Sequence, residues 1–289
     1  NSIYEDFQIN YNHFFCDTYD LTNLYPVNDT NRPDYGFVWN NGWRKPFEIL
    51  GIPQVCINLI QGVCVSKVFK KFNFSLCYVC RRSVLNPGTR YAARGLNDLN
   101  SPGNEVECEL IFYKSSSQEY WTERWRRGSI PIRWKTVLSS KLSAPKHKVD
   151  KDYFKGTVEY FKGLTDRFGE GTTIRCVSLL QTESDHSESQ IKEFFKKALN
   201  RLYENGVDNV FLTPFDLNHH LHEDGSGEAM MDFLSYIGPL CDGDGFTHGK
   251  IPNEINGRQK GLMRFNCADS LDRTNLATFY FAMKMTADW

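Results

Sequence analysis

The sequence predicts an α/β protein in two parts: a β-rich amino-terminal subdomain, residues 1–114, and an α/β subdomain, residues 115–289, built on a mostly parallel sheet. Three observations carry that expectation. Up to about Ile111, short β-type runs are broken by Gly, Pro and Asn; beyond Asp150, helical and strand patterns alternate; and the last strand pattern passes through a short loop from Cys267 into a helix from Arg273.

The β-type runs of the first part are 37–39, 54–65, 74–80 and 105–112. Residues 115–117 and 138–148, with Pro145, read as polar loops. The Trp-rich segment 121–134 lies between them, where the two parts are expected to meet. Asp150 is expected to cap a helix with Phe154, Val158, Phe161 and Leu164 on one face, followed by a buried strand over 173–180. Ser187 and Gln190 form a capping-box pattern. They open a helix with Ile191, Phe194, Phe195, Ala198, Leu199, Leu202 and Tyr203 at its apolar positions. Asn205-Gly206 stops it, 209–213 is a strand, and 229–237 is a helix ended by Gly238-Pro239. A short strand at 262–266 and a helix from Arg273 through Met285 complete the order αβαβαβα.

Composition narrows the classes of function. A chain of 289 residues with 40% hydrophobic and 24% charged side chains can bury a core, and 34 basic against 35 acidic residues give a net charge of -1. No global field drives it onto nucleic acid, so electrostatic binding must be local. The most apolar window, 52–69, is interrupted by Gln54, Asn58, Gln61 and Lys67, which excludes a membrane span there. The chain starts at Asn1-Ser2-Ile3 with no signal-peptide pattern, and its nine cysteines are an odd, scattered set that fits reduced thiols in the cytoplasm. Cys77 and Cys80 make one CxxC without the second pair a zinc site needs, and no metal or cofactor is expected.

The strand-to-helix turn reads Arg264-Phe265-Asn266-Cys267-Ala268-Asp269-Ser270-Leu271-Asp272-Arg273-Thr274-Asn275. A Cys separated by five residues from an Arg is a weak match alone. A strand before it, a helix after it and a loop able to aim backbone N–H groups at a tetrahedral anion make it a phosphate-loop candidate. Cys267 as thiolate would attack phosphorus, and Arg273 would fork two N–H donors onto the equatorial oxygens. The loop residues Asn266, Ala268, Ser270, Leu271, Thr274 and Asn275 are expected to hold the anion. Asp269 or Asp272 would serve as the general acid, Asp269 being preferred, while Asp272 equally suits orienting Arg273. Lowering a thiol pKa from about 8.5 to about 5.5 raises the thiolate fraction roughly 30-fold but costs roughly 20-fold in nucleophilicity. Catalysis must therefore rest on positioning and transition-state charge stabilisation.

On these residues the sequence resembles the Sac-domain phosphoinositide phosphatases, whose signature RxNCxDCLDRTN stands against RFNCADSLDRTN here. Upstream, Tyr19-Asp20-Leu21-Thr22, Phe37-Val38-Trp39-Asn40, Leu59-Ile60-Gln61-Gly62, Arg81-Arg82-Ser83, Gly88-Thr89-Arg90-Tyr91, Arg94-Gly95 and Asn104-Glu105-Val106-Glu107 look like that family's blocks in order. So do Arg127-Gly128-Ser129-Ile130-Pro131 with Trp134, and Phe215-Asp216. The resemblance implies a partial β-rich Sac subdomain, a catalytic subdomain shortened at its carboxyl end, and metal-independent removal of phosphate from the inositol ring of a membrane phosphoinositide. It carries Cys267 over as nucleophile and Arg273 as phosphate ligand. Ser270 replaces the signature's second Cys, which removes a disulfide partner for an oxidised nucleophile. The implied location is cytoplasmic, peripheral on endomembranes or the plasma membrane, with room for an anchor outside this sequence.

Residues 121–155 hold ten Lys or Arg and three acidic residues, which suits an anionic membrane surface, although Arg126 and Arg127 equally suit structural pairs. His219, His220 and His222 read as a solvated polar turn, and Asp242-Gly243-Asp244-Gly245 lacks the later ligands of a calcium loop. Two rival functions stay open at this point: a catalytically silent phosphoinositide-binding scaffold and a Cys-x5-Arg phosphatase for phosphoproteins.

Overall fold

A computed structural model describes residues 12–26, 32–137, 146–181, 186–223, 225–252 and 254–289. The fold is α/β with a mixed β-sheet and several helices. It divides into two compact units, but not at a single cut after residue 114. The first takes Asn1–Val84, Val106–Glu123 and Thr247–Gly257; the second takes Leu85–Glu105, Arg124–Phe246 and Arg258–Trp289.

In chain order the strands are β1 (His13–Phe14), β2 (Ile60–Phe69), β3 (Phe74–Arg82), β4 (Val106–Lys114), β5 (Glu119–Ser129), β6 (Trp134–Val137), β7 (Lys146–Val149), β8 (Thr173–Ser178), β9 (Val210–Pro214), β10 (Thr247–Lys250), β11 (Glu254–Gly257) and β12 (Gly261–Cys267). The helices are α1 (Asn41–Ile49), α2 (Thr157–Phe168), α3 (His186–Glu204), α4 (Leu217–Glu223), α5 (Gly225–Cys241) and α6 (Asp272–Asp288).

The first unit is an antiparallel meander. β2 runs against β3 from Gly62 opposite Arg81 to Phe69 opposite Phe74, and β3 against β4 from Phe74 opposite Lys114 to Arg82 opposite Val106. The β10–β11 hairpin extends along Glu119–Thr122 of β5. Leu21, Ile60 and Val79 form its small core, beside which buried Arg81 pairs with Glu109 at 2.7 Å and Glu107 at 3.6 Å. Gly62 is required where β2 meets β3: at φ +152° its missing Cβ would lie 2.0 Å from the Cys80 carbonyl oxygen.

The second unit carries the parallel strands in the order β5, β12, β8, β9. Met263 lies opposite Trp125 on one side and Arg175 on the other. Its core gathers Ile130, Trp134, Phe161, Leu164, Ile174, Cys176, Ile191, Phe195, Ala198, Leu202 and Leu262, so α2 and α3 bury their apolar faces with β8 and β12.

Several elements differ from the sequence reading. Residues 37–39 are not a strand, and β2 begins only at Ile60. α2 starts at Thr157 behind Gly156, whose left-handed φ of 86° turns the chain, so Asp150 is no cap and Phe154 precedes the helix. α3 starts at His186, which leaves Ser187 inside it, and Tyr203 at its far end is exposed. α5 continues through Gly238-Pro239 to Cys241; Pro239 gives up one backbone N–H bond in the last turn, and the helix ends two residues later. Residues 146–148, expected as loop, belong to β7, while 138–145, including Pro145, lie outside the described residues. Segment 121–134 is mainly the strand β5.

Candidate active site

Cys267 ends β12, a strand buried at all seven positions and flanked in parallel by β5 and β8. Its backbone lies opposite Ser129. Ala268 to Leu271 make the turn, with Ser270 in the left-handed region at φ 58°, and α6 starts at Asp272. The first N–H groups of α6 have no acceptor in their own helix, which directs donors and the positive end of the helix dipole at this turn.

The Cys267 sulfur is fully buried, accepts the Ser270 N–H at 3.1 Å and donates its S–H to Asp269 Oδ1 at 3.6 Å. Leu271 N–H donates to the same Oδ1 at 3.2 Å. Burial pushes the Cys267 thiol above its ordinary pKa and the Asp269 carboxylate adds to this, while Arg273 and the Asp269 and Ser270 amides act in the opposite direction. The net direction is up, so the resting thiol is not acidified.

Arg273 is held by a residue absent from the sequence reading. Its Nη1 donates to Glu188 Oε2 at 2.9 Å and to the Leu179 carbonyl at 3.0 Å, and its Nη2 donates to Glu188 Oε1 at 2.7 Å. Glu188 lies in the first turn of α3 and also accepts the Gln181 N–H at 2.9 Å. The Glu188 hydrogen bonds, together with the charges of Cys267 and Asp269, outweigh burial and hold the guanidinium pKa above its usual range. With the outer Nη1 proton and the Nη1–Nη2 edge taken, the Nε–H and the remaining Nη2–H form the second, parallel edge of the fork.

The turn is braced by the segments that the sequence reading singled out only as blocks. Arg94 donates to Asp269 Oδ2 at 3.2 Å, and Arg90 pairs with that oxygen at 3.5 Å and with Asp272. Asp269 is thus divided, with Oδ2 facing guanidinium groups and Oδ1 facing the sulfur. Asn104 Nδ2 donates to the Asp269 carbonyl, Ser129 Oγ to the Ala268 carbonyl and Arg127 Nη1 to the Ser270 carbonyl, at 3.3, 2.8 and 2.7 Å. Gly95 donates its N–H to Ser129 Oγ at 2.9 Å; at φ +66°, a Cβ there would meet the Trp134 and Ile132 carbonyls at 2.5 and 2.8 Å. Arg264 is buried against Tyr160 and Glu105, and its Nη2 would lie 2.7 Å from a Cβ on Gly128.

The expected site residues take different places. Cys267, Ala268, Asp269 and Ser270 are buried around the turn, and Leu271 is partly exposed. Thr274 is buried with its hydroxyl donating to the Leu271 carbonyl at 3.3 Å, which ties the turn to α6. Asn266 faces the sheet instead: its amide donates to the Val177 and Arg264 carbonyls at 3.2 and 2.6 Å. Asp272 and Asn275 are exposed, and Asp272 pairs with Arg90 rather than Arg273.

The other candidates resolve locally. Cys77 and Cys80, three apart on β3, point to opposite faces. Among the described residues, no group of three or more His, Cys, Asp or Glu could hold a metal ion. His219, His220 and His222 form α4 rather than a turn; Asp216 Oδ1 accepts the His219 N–H, and His220 stacks on Phe215 at 4.6 Å and contacts Asp232. Asp244 pairs with Arg175 at 3.0 Å.

The fold is that of an α/β protein, and its candidate site is a buried thiol and a forked arginine at one strand–helix turn. The model of the SacI homology domain matches residues 1–222, and the chain belongs to that family. The match includes the bracing residues Arg90, Arg94, Asn104, Arg127, Ser129 and Glu188, while the turn lies beyond it. Individual relatives include a polyphosphatidylinositol phosphatase of Saccharomyces cerevisiae, 29% identical over 72% of this chain and 18% of its own length. A polyphosphoinositide phosphatase of Schizosaccharomyces pombe is 27% identical over 84% of this chain and 31% of its own. A phosphatidylinositol-3-phosphatase of Saccharomyces cerevisiae is 26% identical over 91% and 44%. The chain therefore spans less than half the length of these relatives.

Proposed function

We propose that the protein is a phosphoinositide phosphatase that removes a phosphate monoester from the inositol ring through a phosphocysteine intermediate. The observation that carries the reading is the placement of the Cys267 sulfur between the Ser270 amide and Asp269 Oδ1, with Arg273 steered by Glu188 of α3. The activities for which the relatives are named supply the substrate class.

The raised thiol pKa makes the proton part of the chemistry. On attack the S–H proton passes to Asp269 Oδ1, the Sγ–P bond forms, the bond from phosphorus to the ring oxygen breaks, and Asp269 returns the proton to the leaving oxygen. Water then attacks phosphorus while Asp269 takes its proton, the Sγ–P bond breaks, and the proton returns to the sulfur as phosphate leaves. The free edge of Arg273 and the turn amides stabilise the equatorial oxygens, where one well-placed donor is worth about 3 to 4 kcal/mol. Asp269 suits the acid–base role better than Asp272, whose carboxylate is exposed and spent on Arg90.

The test is phosphate release across a panel of soluble, short-chain phosphoinositides and phosphopeptides by wild type and Cys267→Ser. Release from one or more phosphoinositides, absent in the variant, is expected. Lipid binding without release would instead support the silent scaffold, and release from phosphopeptides alone the phosphoprotein phosphatase.

A further inference from the structure

Nine of the ten basic residues of 121–155 are among the described residues, and the fold divides them. Arg124 and Arg126 are buried, Arg126 pairing with Glu105 at 3.1 Å; Arg127 holds the Ser270 carbonyl and Arg133 pairs with Asp98. Of the five exposed lysines that remain, Lys151 and Lys155 follow β7, and Lys135, Lys146 and Lys148 lie on the β6–β7 hairpin. Lys135 lies directly opposite Lys148, and Val137 opposite Lys146. With a side-chain period of two, these four residues share one face, and all four are exposed. The other face carries buried Trp134 with Thr136, His147 and Val149.

Like charges directly opposite in an antiparallel pair are destabilising. Among the described residues none of the three lysines has a carboxylate within ion-pair distance, so no described side chain relieves the repulsion. The hairpin is also tied to the site: Arg94 Nη1 donates to Thr136 Oγ1 at 2.8 Å, while its Nη2 holds Asp269 beside the Cys267 sulfur. A single side chain thus links the hairpin to the catalytic turn.

We propose that the outer face of the β6–β7 hairpin, Lys135, Lys146 and Lys148 around Val137, docks on the headgroups of an anionic bilayer next to the phosphate turn. The occupant follows from charge complementarity: a flat lipid surface relieves three unpaired lysines together and accepts an exposed valine among them. Its benefit to catalysis rests on the phosphoinositide reading above; its lipid contact does not.

The test compares wild type with the triple variant Lys135→Gln/Lys146→Gln/Lys148→Gln. Sedimentation with phosphatidylcholine vesicles carrying phosphatidylserine and no phosphoinositide measures docking. Release from a phosphoinositide in the same vesicles, and from a short-chain soluble one, measures catalysis. A basic residue at a charged leaflet contributes about fivefold to binding, so losing three is expected to weaken vesicle binding on the order of 100-fold at low salt, and less as salt rises. Vesicle turnover should fall in step, with turnover of the soluble substrate and the thermal midpoint unchanged. Unchanged vesicle binding would overturn the proposal. An equal loss on the soluble substrate would also overturn it, placing the lysines on the substrate itself. If wild type releases no phosphate but binds vesicles through these lysines, the catalytic reading fails and the docking surface stands.

Discussion

Two cysteines on neighbouring strands of the second unit share one environment and differ in what faces them. Cys176 on β8 and Cys267 on β12 are both at 0% exposure. For Cys176, burial dominates the opposing effects of Arg264 and Asn266 and pushes the thiol up to about 12. Cys267 is also pushed up by burial, but a guanidinium and two turn amides work against it and a carboxylate waits at its proton. Burial alone makes a cysteine an inert small hydrophobe. The difference lies in position along the strand, since Cys267 is the last residue of β12, where the helix dipole and the loop donors begin.

Arg273→Lys attacks the Cys267 side of this contrast most strongly. A point charge cannot occupy the Glu188 fork and the phosphate edge together, and turnover should fall about 100- to 1,000-fold with the thermal midpoint little changed. Steady-state rates on a soluble phosphoinositide check this. Asp269→Asn removes the proton acceptor but keeps the shape, with an expected loss of about 100-fold or more, against a few-fold for Asp272→Asn. Equal losses in the two variants would move the acid–base role away from Asp269.

The pH dependence sharpens the same comparison. A thiol with a raised folded pKa binds its proton more tightly when folded; its contribution to stability is present below the unfolded value of about 8.5 and is lost as pH rises through the folded one. Inactivation of the substrate-free protein by iodoacetamide should therefore reach half its limiting rate above about pH 8.5. A midpoint below pH 7 would show an acidified thiol. The smallest effect belongs to Cys176→Ala, which should cost roughly 1 kcal/mol in urea unfolding while leaving turnover within twofold.

The strand–turn–helix of the candidate site was legible in the sequence because strand, Cys-x5-Arg spacing and helix fall within one short stretch. What braces it was not. β5 carries Glu123, Arg124, Arg126 and Arg127 among its tryptophans, so no alternating or continuous apolar run marks it as an inner strand; its charges are accommodated by pairs such as Arg126 with Glu105. β6, β7, β10 and β11 are four residues each, too short for a periodic signal. Glu188 offered only the weak hint of an acid in the first turn of a helix, because its partner lies 85 residues away. Asn266 stands beside Cys267 in sequence, and strand alternation therefore puts its side chain toward the opposite face of the strand.

The central claim is that phosphate passes through the Cys267 sulfur. The direct measurement is rapid acid quench during turnover, followed by mass spectrometry of the Cys267 peptide. A phosphoryl group on that cysteine, accumulating in the Asp269→Asn variant and absent from Cys267→Ser, is the expected result. Undiminished phosphate release by Cys267→Ser, with no phosphoryl-cysteine in the wild type, would contradict it.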